Sequence, residues 1–183
     1  MPAISAPDHA LRALQDNADI IRTCTLWAWL ADRRDWAALL GLFTAEVNFD
    51  YTSLNGGEPL LLPRESVIDG FTVVLSGFHA TQHLISNHLV TRAEGDESAA
   101  ECTAAFLATH VLPVEDGEPT WTVGGHYDFT LAGGPDGWRI SGIKMTADWT
   151  AGNQDLVYLA VENQPEHIRQ WKHEQADQER FSA

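Results

Sequence analysis

The feature that most constrains the fold is a change in the spacing of apolar residues at Gly77. Before it, apolar side chains recur at helical spacing, and after it they alternate along long runs, as in β-strands. Short segments rich in Gly, Asp and Glu separate these runs and are typical of hairpin turns. The strand-like runs are His79–Thr91, Ala99–Pro113, Thr120–Leu131 and Trp138–Trp149. Helices followed by consecutive long strands predict an α+β fold in which a curved mixed or antiparallel sheet wraps around the helices.

Three helices and one further strand are predicted ahead of Gly77. The first helix, from about Asp8 to Asp32, carries an apolar stripe so wide that we expect the helix to be covered on most sides. Asp35 can cap the second helix, because a carboxylate accepts a hydrogen bond from a free backbone N–H at a helix start. The remaining elements are a helix from Trp36 to Phe43, a strand from Val47 to Tyr51, a loop from Asn55 to Pro63 and a helix from Glu65 to Ser76.

The length and composition indicate one globular domain. The chain has 183 residues and no internal repeat, and its 44% hydrophobic content with seven tryptophans predicts a buried core. We expect an α+β domain over residues 1–152 and a helical C-terminal segment over residues 153–183. That segment has apolar residues among many charges, so we expect a helix that ends in a solvated tail.

Charge and cysteine content narrow the function. A net charge of −15 with only 11 Lys and Arg residues argues against nucleic acid and anionic membranes as partners. No apolar run approaches the roughly 20 residues that span a bilayer, and residues 1–8 do not resemble a signal peptide. Cys24 and Cys102 lack metal-type spacing and predict buried thiols in a reducing compartment. We therefore expect a cytoplasmic protein that acts on small molecules.

Two strand-like segments each present a histidine on a face that should be buried. These are Thr81-Gln82-His83-Leu84 and Ala108-Thr109-His110-Val111, and Asp32 stands at the end of the first predicted helix. A carboxylate and two imidazoles can move a proton at neutral pH, because imidazole titrates near that pH. No His-x-His or His-Glu-x-x-His spacing occurs, so we expect no metal site.

Four segments carry a resemblance to a known family. The chain resembles the SnoaL-like enzymes of the nuclear-transport-factor-2-like superfamily, in the branch of scytalone dehydratase, lindane dehydrochlorinase and bile-acid 7-alpha-dehydratase. The similarity runs from about Asn17 to Trp149. The four segments are Ala31-Asp32-Arg33-Arg34-Asp35-Trp36, Phe49-Asp50-Tyr51, Thr81-Gln82-His83 together with His110, and Gly137-Trp138-Arg139-Ile140-Ser141-Gly142-Ile143-Lys144.

The chain departs from scytalone dehydratase at some positions. Ala31 stands where that enzyme has a tyrosine, and its pocket serine and asparagine fall near Gly125 and Tyr127. We therefore do not expect scytalone itself as the substrate.

The resemblance implies a cone of sheet around one apolar pocket and a cofactor-independent lyase, most simply a dehydratase of small apolar hydroxy-carbonyl compounds. It places Asp32 behind His83, so that His83 removes the proton next to a carbonyl and Asp32 orients the imidazole. Tyr51 would stabilise the enolate and His110 would help expel the leaving group, or act as a second donor to the enolate. We expect the C-terminal segment to pack on or near the pocket mouth. The residues expected to line the pocket are Trp29, Phe49, His79, Asn87, Phe106 and Tyr127.

The resemblance also implies a homotrimer or homodimer, and several alternatives remain open. His83 and His110 can be core histidines, Asp32 can pair with a neighbouring arginine, and Tyr51 can serve only for packing. The same pocket suits an isomerase or a polyketide-type cyclase. Two alternatives belong to other functional classes. They are a non-catalytic ligand-binding or assembly module and the small subunit of a ring-hydroxylating dioxygenase. His88 and His126 are expected to point away from the pocket.

Overall fold

The computed structural model describes residues 6–92 and 98–163. Its order of elements is that of an α+β domain, with helices first and long strands after them, as predicted. The helices are α1 (Ala6–Arg33), α2 (Trp36–Gly41), α3 (Thr52–Asn55), α4 (Arg64–Leu75) and α5 (Leu156–Glu162). The strands are β1 (Phe43–Asp50), β2 (Leu60–Pro63), β3 (Ala80–Thr91), β4 (Ala99–Val111), β5 (Thr120–Gly134) and β6 (Gly137–Gly152).

The six strands form one curved sheet in the order β2-β1-β6-β5-β4-β3. Strands β3 to β6 follow one another as antiparallel neighbours, whereas β1 pairs with β6 in parallel. The sheet is therefore mixed, and the four strands predicted after Gly77 are confirmed. The turn predicted between the first two of these strands lies in a gap of the described residues. The part of the predicted C-terminal helix and tail after residue 163 also lies outside them.

The segment predicted as a loop from Asn55 to Pro63 contains a strand. Residues Leu60–Pro63 form β2, which pairs antiparallel with β1 at the edge of the sheet. Three leucines between a glycine-rich turn and a proline are too short a run to show alternation, and an edge strand tolerates proline because one side makes no ladder. Strand β1 also begins earlier than expected, at Phe43, since α2 already ends at Gly41.

The concave face of the sheet packs on one side of α1. The buried face of α1 is formed by Ile20, Cys24, Trp27, Ala28 and Ala31, which recur at helical spacing. The inward residues of β4 alternate with exposed ones and are mostly small, which lets α1 approach the sheet closely; they are Ala100, Cys102, Ala104, Phe106, Ala108 and His110.

The expectation that α1 is covered on most sides is wrong. Leu11 and Leu14 are 56% and 67% exposed, and Ile21 is also exposed. Because an α-helix turns by about 100° per residue, these residues form a second apolar face beside the buried one. The wide apolar stripe of the sequence therefore consists of two faces of this helix. Only one of them packs against the described part of the chain.

Helix α5 packs against α4, and its Val157 lines the cavity described below. Its Leu156 and Ala160 are fully buried. Gly77, directly after α4, lies so close to α5 that a Cβ atom there would fall on the backbone carbonyl of Ala160. No helix of the described residues is both long and apolar enough to cross a bilayer.

The contact between Gly77 and Ala160 predicts a local weakness. Gly77→Ala should push α5 away from α4 and lower the free energy of unfolding by about 1–3 kcal/mol, the usual effect of overpacking. Gly41→Ala is the matched control, because nothing lies within 4 Å of the added methyl group. Urea unfolding of the two variants measures the difference, and equal stability would show that α5 does not dock at Gly77.

Candidate active site

A cavity of about 190 Å³ lies between the concave face of the sheet and the helices α1, α4 and α5. Its walls are almost entirely aromatic and aliphatic, and none of the lining residues is Lys, Arg, Asp or Glu. The lining residues are Trp27, Phe49, Tyr51, Leu54, Asn55, Gly70, Phe71, Val74, Leu75, His83, Phe106, Ala108, His110, Trp121, Val123, Tyr127, Met145 and Val157. A largely apolar cavity with few polar groups is typical of a small-molecule site.

The end of α1 meets β3 through Asp32 and His83. The Oδ1 atom of Asp32 lies 2.7 Å from Nδ1 of His83, and its Oδ2 atom accepts from the backbone N–H of His83 at 2.7 Å. Thr81 donates its hydroxyl hydrogen to Oδ1 at 2.8 Å. Asp32 thus holds both the ring and the backbone of the residue that it faces.

These donors keep Asp32 ionised. Burial alone would raise the pKa of its carboxyl group, but the hydrogen bonds from His83 and the Thr81 hydroxyl, with the favourable electrostatic contribution of the His83 ring, outweigh burial and lower the pKa. An ionised carboxylate can only accept, so the Nδ1 atom of His83 must donate the hydrogen bond to Asp32. In the neutral imidazole the proton is therefore assigned to Nδ1. The lone pair of His83 is then on Nε2, on a side chain that lines the cavity and is only 5% exposed.

His110 lies beside His83 but in a drier environment. The two ring centroids are 5.4 Å apart, and His110 also packs against the rings of Phe78 and Trp121, each at 4.9 Å. Burial, together with the nearby His83, lowers the pKa of His110 to about 3. His110 is therefore neutral at pH 7 and can form hydrogen bonds there without carrying charge.

Tyr51 stands at the opposite wall, where β1 ends. Its ring stacks on Phe49 at 4.5 Å, and both side chains line the cavity. Burial, and secondarily the nearby Tyr127, raises the pKa of the Tyr51 hydroxyl well above its ordinary value. Tyr51 therefore stays protonated and is a hydrogen-bond donor at neutral pH.

Four buried polar atoms have no hydrogen-bond partner within the described part of the protein. They are Nε1 of Trp27, the hydroxyl of Tyr51, Nδ1 of His110 and Nε1 of Trp121. All four belong to residues that line the cavity. Because buried polar groups are nearly always paired, such a cluster of unpaired atoms makes the lining of this cavity the part of the described core whose hydrogen bonding is least complete.

The structure brings His83, Tyr51 and His110 to one cavity, with Asp32 hydrogen-bonded to His83 from outside its walls, and the catalytic roles of all four remain predictions. Of the expected lining residues, Phe49, Phe106 and Tyr127 are in its walls. His126 lies on the outer face of the sheet beside Asp148, 3.3 Å away, and is partly exposed. His88 is turned towards α1, where it meets Thr25, and does not line the cavity.

Three expected lining residues lie elsewhere, each for a physical reason. Trp29 is 56% exposed under the guanidinium of Arg33, because it follows Trp27 by two residues and thus by about 200° around the helix. His79 is exposed because it lies just before β3 begins and is not held on the inward face of the strand. Asn87 has a φ of +55° in a bulge of β3, which reverses the alternation and turns it to solvent.

Sequence reasoning missed two tryptophans of the cavity. Trp27 is on the buried face of α1, and Trp121 faces inward on β5 directly opposite His110. The alternation of Trp121 with Val123 signals an inward face, but its pairing with His110 depends on a register that the sequence leaves open. Among the described residues no three His, Cys, Asp or Glu side chains come together to hold a metal ion.

The comparisons place the chain in a family. A family model for the SnoaL-like domain matches residues 12–144. The crystal structure of the Kfla4162 protein from Kribbella flavida is 31% identical, with a TM-score of 0.73 over 81% of this chain and 98% of that one. The chain therefore belongs to the SnoaL-like domain family. No protein of curated function matches it at a significant level.

Other structures share the fold at lower identity. A Novosphingobium aromaticivorans protein, provisionally named a scytalone dehydratase, is 18% identical with a TM-score of 0.65, covering 81% of this chain and 92% of its own. A hexachlorocyclohexane dehydrochlorinase from Novosphingobium barchaimii is 14% identical with a TM-score of 0.63, covering 79% and 94%. At these identities the likeness shows a shared fold alone.

The buried, neutral His110 predicts a loss of stability in acid. The unfolded chain takes up a proton at this residue near pH 6.5, whereas the folded protein does so only near pH 3. The stability that His110 contributes is therefore present above pH 6.5 and is lost as the pH falls towards 3. In that window the free energy of unfolding should fall by about 1.4 kcal/mol per pH unit more in the wild type than in His110→Asn.

Urea unfolding at several pH values measures this slope. His126→Asn is the control, because His126 is partly exposed on the outer face and should leave the slope unchanged. Identical slopes for the wild type and His110→Asn would contradict a neutral, buried imidazole at this position.

Proposed function

We propose that the protein is a cofactor-independent lyase, specifically a dehydratase that removes water or another β-leaving group from a small, uncharged hydroxy-carbonyl compound. The observation that carries this proposal is the 2.7 Å hydrogen bond between Asp32 and Nδ1 of His83 at the wall of an apolar cavity. It leaves Nε2 of His83 as a base, and Asp32 would stabilise the imidazolium that forms when the base takes a proton.

The proposed reaction begins at the carbon next to the carbonyl group. The C–H bond breaks, its proton goes to Nε2 of His83, and the electron pair forms an enolate. Tyr51 donates a hydrogen bond to the enolate oxygen, a role that its raised pKa supports because the hydroxyl stays protonated. Removing one such donor typically costs about 10²–10³-fold in rate, so Tyr51 need not be essential.

The enolate then expels the β-hydroxyl group as the C–O bond breaks and a C=C bond forms. The leaving hydroxide needs a proton, and His110 carries no positive charge at neutral pH. The proton that His83 has just taken can therefore pass to the leaving group, which releases water and restores the neutral base. His110 would act as an uncharged hydrogen-bond partner of the leaving group or the enolate.

The walls of the cavity support an uncharged substrate. No Lys or Arg lines the cavity that could neutralise a carboxylate or a phosphate, and an unpaired buried charge is costly. The free N–H groups of Trp27 and Trp121 and the hydroxyl of Tyr51 favour a ligand with several oxygen acceptors. The fold neighbours named as a dehydratase and a dehydrochlorinase support elimination as the reaction class.

Replacing the proposed base predicts a loss of turnover without a loss of fold. His83→Gln should reduce kcat by at least about 10²–10⁴-fold, the usual contribution of general acid–base catalysis, and Tyr51→Phe should leave residual activity. A suitable probe is 4-hydroxy-4-phenylbutan-2-one, a neutral β-hydroxy ketone whose dehydration product absorbs in the near ultraviolet. Mass spectrometry checks the loss of one water, which an isomerase or a cyclase that only rearranges its substrate would not produce.

His126→Gln is the matched control, because His126 also faces an aspartate but lies on the outer side of the sheet. It should retain wild-type activity. If His83→Gln keeps full turnover, His83 is not the base and the proposal is contradicted. If the wild type binds a panel of such ketones but converts none of them, the protein is a ligand-binding module. Co-purification of a large iron-containing subunit would instead favour the dioxygenase small subunit.

We also propose that the protein self-associates through the outer face of the sheet. Leu84 on β3, Leu107 on β4 and Trp149 on β6 form a row on that face and are 54%, 37% and 52% exposed. On β5, Gly124 lies between Leu107 and Trp149 in this row. An exposed row of large apolar residues is typical of an interface. Leu107→Lys should convert a dimer or trimer to a monomer in sedimentation analysis, and an unchanged mass would contradict this interface.

A further inference from the structure

We propose that Arg34 and Thr81 are positioning residues: Arg34 fixes the direction of the Thr81 hydroxyl, and Thr81 in turn sets the carboxylate of Asp32 and the tautomer of His83. The catalytic consequence rests on the proposed function, whereas the effect on the tautomer does not. Neither residue lines the cavity, so each would act through Asp32 rather than on a substrate.

The backbone of Arg34 is in a conformation that favours glycine. Arg34 follows α1 with a φ of +56°. Its N–H donates to the Ala31 carbonyl at 3.1 Å, and the N–H of Asp35 donates to the Leu30 carbonyl at 3.0 Å. This pair of bonds is a Schellman motif, in which the left-handed residue is usually glycine. An arginine in this position indicates that the side chain is needed where the turn places it.

The guanidinium of Arg34 joins three segments of the chain. Its Nη1 donates to the backbone carbonyl of Asp32 at 2.6 Å and to the hydroxyl oxygen of Thr81 at 2.8 Å. Its Nη2 donates to the carbonyl of Leu75 at 2.8 Å, and to that of Phe78 at 3.5 Å. The end of α1, the end of α4 and the start of β3 are thus held around one planar group.

The donor count determines the direction of the Thr81 hydroxyl. A guanidinium only donates, so the Thr81 oxygen must accept from Arg34. A hydroxyl has one hydrogen, which is then directed at Oδ1 of Asp32, 2.8 Å away. Oδ1 therefore receives Thr81 together with Nδ1 of His83, while Oδ2 receives the backbone N–H of His83. With all three donors in place, the carboxylate cannot rotate away from the imidazole without losing bonds.

Arg34 acts through hydrogen bonds rather than by neutralising Asp32. Its guanidinium binds the backbone carbonyl of Asp32, and the ion pair formed by the Asp32 carboxylate among the described residues is with His83. The donor geometry of Arg34, and not its charge alone, is therefore what reaches Thr81. Supporting groups of this kind typically change activity by roughly 10–100-fold when they are removed.

The test uses the full chain labelled with ¹⁵N and long-range ¹H–¹⁵N correlation spectra, which report the tautomer of His83 directly. In the wild type and in Thr81→Ser, which keeps the hydroxyl, we expect the Nδ1–H tautomer. In Thr81→Val, which keeps the branched shape that suits a strand, we expect a mixture of the two tautomers. With an active substrate, Thr81→Val should lower kcat roughly tenfold and leave KM within about twofold, because Thr81 does not touch the cavity.

A double-mutant cycle tests whether Arg34 acts through Thr81. Arg34→Met should also mix the tautomers, and the double variant Arg34→Met/Thr81→Val should be no more mixed than Thr81→Val alone. Additive effects, or an unchanged His83 tautomer in Thr81→Val, would overturn the proposal even if Arg34→Met fails to fold. If Thr81→Val mixes the tautomers while no carbonyl compound is turned over, the positioning role stands and the proposed dehydratase function fails.

Discussion

The hydrogen bond from His83 to Asp32 is the interaction on which the proposed chemistry depends, because it joins the end of α1 to the strand that faces the cavity. Asp32 is the penultimate residue of a long helix, so its position is set by everything that holds the helix against the sheet. The small side chains along β4, such as Ala104 and Ala108, let that helix approach closely. The packing of α1 against the sheet therefore determines where Asp32 lies at the end of the helix.

The site at the cavity combines two environments, of which one favours the charged form of Asp32 and the other favours the neutral form of His110. Asp32 receives three hydrogen bonds and stays ionised in spite of its burial. His110, 5.4 Å from the His83 ring, has no comparable partner at Nδ1, and its pKa falls to about 3. One imidazole is therefore paired with a charge and the other is kept neutral. This asymmetry distinguishes a base from a hydrogen-bonding group without any difference in residue type.

Much of the fold could be predicted from the sequence, because the alternation in β3 to β6 is long and regular. The site was predicted where local rules hold, as for His83, which shares an inward face with Thr81. The prediction was wrong where the alternation of inward and outward residues is interrupted. Two residues in the bulge of β3 oppose Ala104, and Asn87 therefore turns outward. Trp29 was expected in place of Trp27, because the apolar residues of α1 form two faces and the sequence does not say which one is buried. The pairing of His110 with Trp121 depends on the register of a hairpin and is set by tertiary contacts.

The measurement that tests the central claim most directly is the exchange of α-protons in D₂O with 4-phenylbutan-2-one, a ketone that has no leaving group. It isolates the first step, in which His83 takes a proton from carbon, from whatever follows. The account predicts that the wild type incorporates deuterium at the α-carbon faster than buffer alone and that Asp32→Asn slows this exchange, while His126→Gln does not. If the ketone binds, as shown by native mass spectrometry, but exchanges no faster than in buffer, His83 is not a base towards carbon and the account is contradicted.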